Sequence, residues 1–205
     1  MIVVLGRPAL DGGRAPAAEG LAGMGAAIAL ASAREGVRTE LVGSVGDDPE
    51  GDRAIVLLGR AGVGHAALLR DPAGHTPLAG KDRGPLPRLE AADIELGLGY
   101  LADIRVLILA EPLPPDGAAA ALTAAAYHGA SVIAIVPSGS SEPAAGGVPE
   151  LGPTAPRFDL EAPRGEIAPF AEMVGRLAAG LARGDEPALA FAAATRSIGW
   201  ERAGR

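Results

Sequence analysis

The stretch from Glu40 to Val63, ELVGSVGDDPEGDRAIVLLGRAGV, constrains the fold more than any other part of the chain. It reads as strand, acidic turn, helix and glycine stop. Leu41, Val42 and Val45 give a short apolar strand. Gly46-Asp47-Asp48-Pro49-Glu50-Gly51 gathers residues that interrupt regular structure. Asp52 is placed to cap a helix running to about Arg60, with Ala54, Ile55, Leu57 and Leu58 on its buried side. Gly62 follows, where a left-handed residue favours the end of a helix. By residue type alone the acidic turn is a solvated helix cap.

The same rhythm recurs along the chain. Ile2 to Leu5 is a continuous apolar run, the pattern of a strand covered on both faces of a parallel sheet. Ala22 to Glu35 reads as a helix whose entrance carries Gly20, Gly23 and Gly25. Such an entrance suits either an anion or close packing, and it lacks the third small residue of a dinucleotide fingerprint. Val106 to Leu109 is a second buried strand. Asp116 is placed to cap a helix from about Gly117 to Tyr127, Gly129 stops it, and Ser131 to Val136 is the next strand. Alternating strands and helices imply an α/β fold with a mainly parallel sheet. Residues 137–156 are rich in Pro, Gly and Ser and read as a flexible loop. A short strand is expected over Pro156 to Leu160. Helices are expected from Ile167 to Arg183 and from about Ala188 to Ser197.

At 205 residues the chain suffices for one domain, 1–205, with a real core. That core is aliphatic, because 48% of residues are hydrophobic and only 3% aromatic. The absence of cysteine removes disulfides, thiolate metal sites and thiol nucleophiles. A net charge of −7 argues against nucleic acid or an anionic membrane as partner. No apolar run approaches the roughly 20 residues that span a bilayer. The expectation is a soluble, cytoplasmic protein. His65, His75 and His128 read as surface or helix-end residues, so no metal site is expected.

The run Ala33-Arg34-Glu35-Gly36-Val37, then Val45-Gly46-Asp47-Asp48-Pro49-Glu50-Gly51, then Ala61-Gly62-Val63 resembles the ribokinase-like (PfkB) carbohydrate kinases in order and spacing. The resemblance covers about residues 1–136 and 157–204. It implies a three-layer, Rossmann-like sheet. It also implies that a lid is missing or vestigial, since only eleven residues separate Asp11 from Gly23. Strand–helix units of the nucleotide-binding half are absent between Pro137 and Pro156.

The resemblance assigns site residues by position. Asp11 falls where the family's substrate-binding aspartate stands, although a turn-forming Asp before Gly12-Gly13 reads equally well. Gly23 lies in the substrate-side glycine pair, and Asp47 of the acidic turn is the third substrate-binding candidate. The family's sugar-binding Asn falls on Ala27. Its Gly-Ala-Gly-Asp motif falls on Ala168-Pro169-Phe170-Ala171, so the catalytic base would be Ala171, and Glu166 is the nearest substitute carboxylate. The resemblance therefore implies a catalytically inactive homologue that binds a sugar-like small molecule or a protein, with no cofactor. The alternative is an ATP- and Mg-dependent sugar or nucleoside kinase with a rearranged or subunit-shared site. The surface left by the missing lid implies a homodimer.

Overall fold

The apolar run at the start of the chain forms β1 (Ile2–Leu5), every residue of it buried. In this computed structural model the described residues are 1–12, 20–138 and 155–196. A two-residue ribbon follows, β2 (Ala9–Leu10) paired antiparallel with β3 (Leu21–Ala22). It stands where a lid was expected to be missing or vestigial. Then come α1 (Met24–Arg34), β4 (Thr39–Gly46), α2 (Pro49–Arg60) and β5 (Leu68–Asp71). The second half holds α3 (Ala91–Gly99), β6 (Val106–Leu109), α4 (Pro115–His128), β7 (Ser131–Val136), β8 (Arg157–Glu161), α5 (Ile167–Arg183) and α6 (Pro187–Arg196).

Six strands form one sheet in the order β5-β4-β1-β6-β7-β8, and every pair in it is parallel. Period-two alternation along each strand divides the side chains between two cores. Ile2, Val4, Ile108 and Ile133 pack with α1, α2, α5 and α6. Val3, Leu5, Leu107 and Val132 pack with α3 and α4. The result is a three-layer α/β arrangement. The chain runs outward from β1 to β4 and β5, then returns to build β6, β7 and β8 on the other side, so the strand order reverses between β1 and β6.

α5 buries Phe170, Val174, Leu177 and Leu181, the positions that the helical period singles out. Burial of each side chain contributes roughly 1.5–3 kcal/mol. Gly175 lets α5 approach α1: a Cβ there would stand 2.8 Å from the Cβ of Ala31.

Several local expectations are corrected. α2 begins at Pro49, and its N-cap is Asp48, not Asp52. Proline suits the first helical position, so the cap falls on the residue before it, and Glu50 and Asp52 occupy the first turn. α4 likewise begins at Pro115 with Pro114 as N-cap, so Asp116 lies inside the first turn. β5 (Leu68–Asp71) was not foreseen as a strand; it joins the main sheet parallel to β4. The helix α3 was not foreseen; Gly97 and Gly99 hid it. Of the loop expected at 137–156, only residues 137, 138, 155 and 156 are described, and the helix end at Ser197 also lies outside the described residues. No helix among the described residues is long and apolar enough to cross a membrane.

Candidate functional site

The acidic turn leaves the carboxyl end of β4, and its two aspartates do different things. Asp48 accepts hydrogen bonds from the Gly51 N–H at 2.8 Å, the Thr76 N–H at 3.0 Å and the Thr76 hydroxyl at 2.7 Å. Thr76 Oγ1 in turn accepts from the Gly46 N–H at 2.9 Å. Thr76 is fully buried, so this knot ties the 72–90 segment to the turn. Burial alone would raise the Asp48 pKa. The Thr76 and Gly51 donors and the nearby Arg83 outweigh it, and the carboxyl sits below its usual range. Gly46 and Gly51 belong to the knot: a Cβ on Gly46 would stand 2.7 Å from the Gly74 carbonyl oxygen. His75 lies 3.8 Å from Asp48, so it is less isolated from carboxylates than its sequence context suggested. Asp47 is exposed and pairs with Arg70 at 3.5 Å; Arg70 also holds Asp52 at 2.6 Å.

The entrance of α1 packs closely. Gly23, its N-cap, has φ 84°, a conformation that favours glycine, and a Cβ there would stand 3.5 Å from that of Ala9. Asp11 follows β2, half-exposed, and donates its N–H to the Gly20 carbonyl at 3.0 Å. Ala27 in the first turn of α1 and Ala171 in the first turn of α5 line one narrow cleft of about 230 Å³. The fold thus brings together the two positions assigned by resemblance to the sugar contact and the base. Both are alanine. Ala171 is only 2% exposed.

The start of α5 departs from an anion site. Its N-cap Glu166 makes no side-chain capping bond, and Ile167, Ala168, Pro169 and Phe170 follow. A helix N-terminus holds a phosphate through free N–H groups. Pro169 has none at the third position, and Phe170 is buried. These residues do not fit a transferred phosphoryl group.

At the mouths of β1 and β6, where the strand order reverses, Arg7 Nη1 meets Glu111 Oε1 at 3.2 Å. Crevices at such reversals commonly hold ligands in parallel sheets. Burial pushes the Glu111 carboxyl up, against the pull of Arg7. Arg7 Nε is buried with no hydrogen-bond partner among the described residues.

A larger opening, about 770 Å³, lies at the carboxyl ends of β7 and β8 beside the start of α5. Its wall is apolar, with Pro169, Phe170, Met173 and Phe191. Phe191 stacks on Phe158, centroids 6.1 Å apart and rings inclined by 6°. Ser138, Glu161, Arg164 and Glu166 edge it. Volume and lining match an ordinary small-molecule cleft. Sequence reasoning missed Phe191 and Arg164. The only available signal was rarity: the whole chain has three phenylalanines. Among the described residues, no group of three or more His, Asp or Glu is placed to share a metal ion.

Comparison by sequence with protein families and with curated proteins finds no match. Solved structures do match. The chain is similar to a proposed phosphofructokinase from Staphylococcus aureus, at 14% identity over 97% of this chain and 90% of that one, TM-score 0.64. It is similar to a proposed ribokinase II from E. coli, solved with ATP and Mg²⁺, at 15% identity over 94% and 89%, TM-score 0.62. It is also similar to a proposed ribokinase from Agrobacterium tumefaciens, at 18% identity over 93% and 87%, TM-score 0.59. At these identities the likeness concerns architecture: the chain has the ribokinase-like fold.

Proposed function

We propose that this chain is a ribokinase-fold protein without phosphoryl-transfer activity, which binds a small organic molecule in the cleft between β7, β8 and α5. The observation that carries the reading is the start of α5. Phosphoryl transfer rests on positioning and on electrostatic stabilisation of the moving group. Here proline, a buried phenylalanine and a buried alanine occupy the turn that would supply N–H donors and the base. A positioned general base contributes about 10²–10⁴-fold, and here its support is missing as well. The apolar wall of Pro169, Phe170, Met173 and Phe191 suits a ligand with a flat or apolar face, and Asp159, Glu161 and Glu166, set against the single Arg164, suit one that is neutral or cationic rather than an anion.

The test is a thermal-shift screen against ATP, ADP, Mg²⁺, sugars and nucleosides, run beside a phosphotransfer assay. A ligand at 100 times its Kd stabilises by about 2.7 kcal/mol. A shift without transfer supports the proposal. Transfer that survives purification and disappears in Glu166→Ala or Asp11→Ala overturns it. Under that second outcome the chain is an active sugar or nucleoside kinase with a rearranged site. One observation favours this alternative: Glu166 and Arg164 edge the same cleft at the start of α5.

A further inference from the structure

The opposite face of the sheet carries an independent opening. Between α3 and α4 runs a cleft of about 970 Å³. It exists because the residues between the two helices are small: Gly99 on α3, Ala120 and Ala124 on α4. Leu98 and Leu101 close its floor. Glu95, Asp103 and Asp116 stand along its length. No lysine or arginine lines it, and His128 is its one base.

The surroundings of this groove are unlike the rest of the surface. The chain has two tyrosines, and both are exposed here. Tyr127 is 87% exposed on the wall, and Tyr100, 74% exposed, lies between the lining residues Gly99 and Leu101. Leu96, on the same helix α3, is 50% exposed. Large amphipathic rings beside an apolar trough are the composition of an interaction surface, where Tyr anchors carry much of the binding.

We propose that this groove docks an amphipathic, basic helix from a protein partner. The partner's apolar side chains enter the trough over Leu98, Leu101 and Ala124, and its lysines or arginines meet Glu95, Asp103 and Asp116. The charge pattern selects this occupant over a second copy of the chain. A copy offering the same face would set its three carboxylates against these three, within a molecule already at −7. Length agrees, because the 14 residues of α4 span about 21 Å, which matches a partner helix of about four turns. The inference does not depend on the cleft beside α5.

The probes are two synthetic amphipathic helices of about four to five turns, one of leucine and lysine and its twin with glutamate for lysine. Each is titrated into the full chain, with affinity read by fluorescence anisotropy and location by amide chemical shifts. The expected result is at least tenfold tighter binding of the lysine peptide, with shifts confined to α3 and α4. The triple variant Glu95→Lys, Asp103→Lys, Asp116→Lys should reverse the preference, and Tyr127→Ala should weaken the lysine peptide about tenfold. Equal binding of both peptides, shifts on another face, or a preference unchanged by the triple variant overturns the proposal. So does light scattering that shows a dimer of the parent chain dissociated by that variant, since the occupant would then be a second copy.

Discussion

Replacing Asp48 with alanine tests whether the acidic turn is a solvated cap or a structural knot. A solvated cap predicts a loss of about 0.5–1 kcal/mol. The structure predicts more. The substitution removes the acceptor for the Gly51 N–H, and it strands the Thr76 N–H and hydroxyl, where Thr76 has no solvent exposure. Each stranded buried donor costs about 1–3 kcal/mol. The Asp48 side chain is itself 12% exposed, so water entering beside the alanine recovers part of this. The expected total is about 3 kcal/mol, or roughly 6–12 °C in Tm for a chain of this size. Asp48→Asn, which keeps one acceptor oxygen, should lose about half as much. Urea denaturation reads these values, and a cycle with Thr76→Val isolates the coupling. A loss below about 1 kcal/mol for Asp48→Ala, or additivity in the cycle within about 0.5 kcal/mol, refutes the knot.

Four further outcomes are expected. Asp71 accepts from the Arg88 N–H, the Ala73 N–H and the Arg88 side chain, which hold its carboxyl at about 2. A lowered pKa gives stability that is present above the ordinary carboxylate range and lost as pH falls from about 4 towards 2; Asp71→Asn should flatten acid denaturation across that window, as read by circular dichroism. Ala171→Asp should bring no phosphotransfer and should destabilise by about 3 kcal/mol, because it introduces a carboxylate at a site 2% exposed; measurable transfer by this variant would contradict the account of α5. Gly175→Val should cost about 2 kcal/mol by forcing α5 from α1, whereas Gly99→Ala, with no atom within 4 Å of the added Cβ, should be neutral or stabilising. The surface left by the reduced ribbon β2–β3 is expected to support a homodimer, and a monodisperse monomer by light scattering counts against it.

The layers were legible because buried parallel strands leave unbroken apolar runs. Ile2–Leu5, Val106–Leu109 and Ser131–Val136 all became central strands of the sheet. β5 was not legible: Leu68-Leu69-Arg70-Asp71 has a mixed pattern because it lies at the sheet edge, with only one strand neighbour. α3 was hidden because it carries two glycines, of which Gly97 serves packing. At Gly97 a Cβ would stand 2.7 Å from Val42 Cγ1, a tertiary constraint that no local pattern records. The candidate site was legible only in what it lacks. Ala27 and Ala171 were assigned by counting, and the fold sets them on one cleft. The cleft beside α5 was illegible, because Ser138, Arg164 and Phe191 are far apart in sequence and share no period.

The two ends of the resemblance now separate on physical grounds. The acidic turn has mutually dependent atoms: the Asp48 carboxylate accepts from the Gly51 and Thr76 N–H groups and from the Thr76 hydroxyl, whose oxygen accepts from the Gly46 N–H, so losing either side chain strands a donor. The start of α5 has no such interdependence. Pro169 is compatible with the first turn of a helix, and Phe170 and Ala171 add apolar burial to the core. Exchanging an anion-binding turn for this sequence therefore carries no folding penalty. Under the proposed function such a chain keeps the turn for stability without the chemistry at α5, and the presence of the turn is evidence about architecture alone.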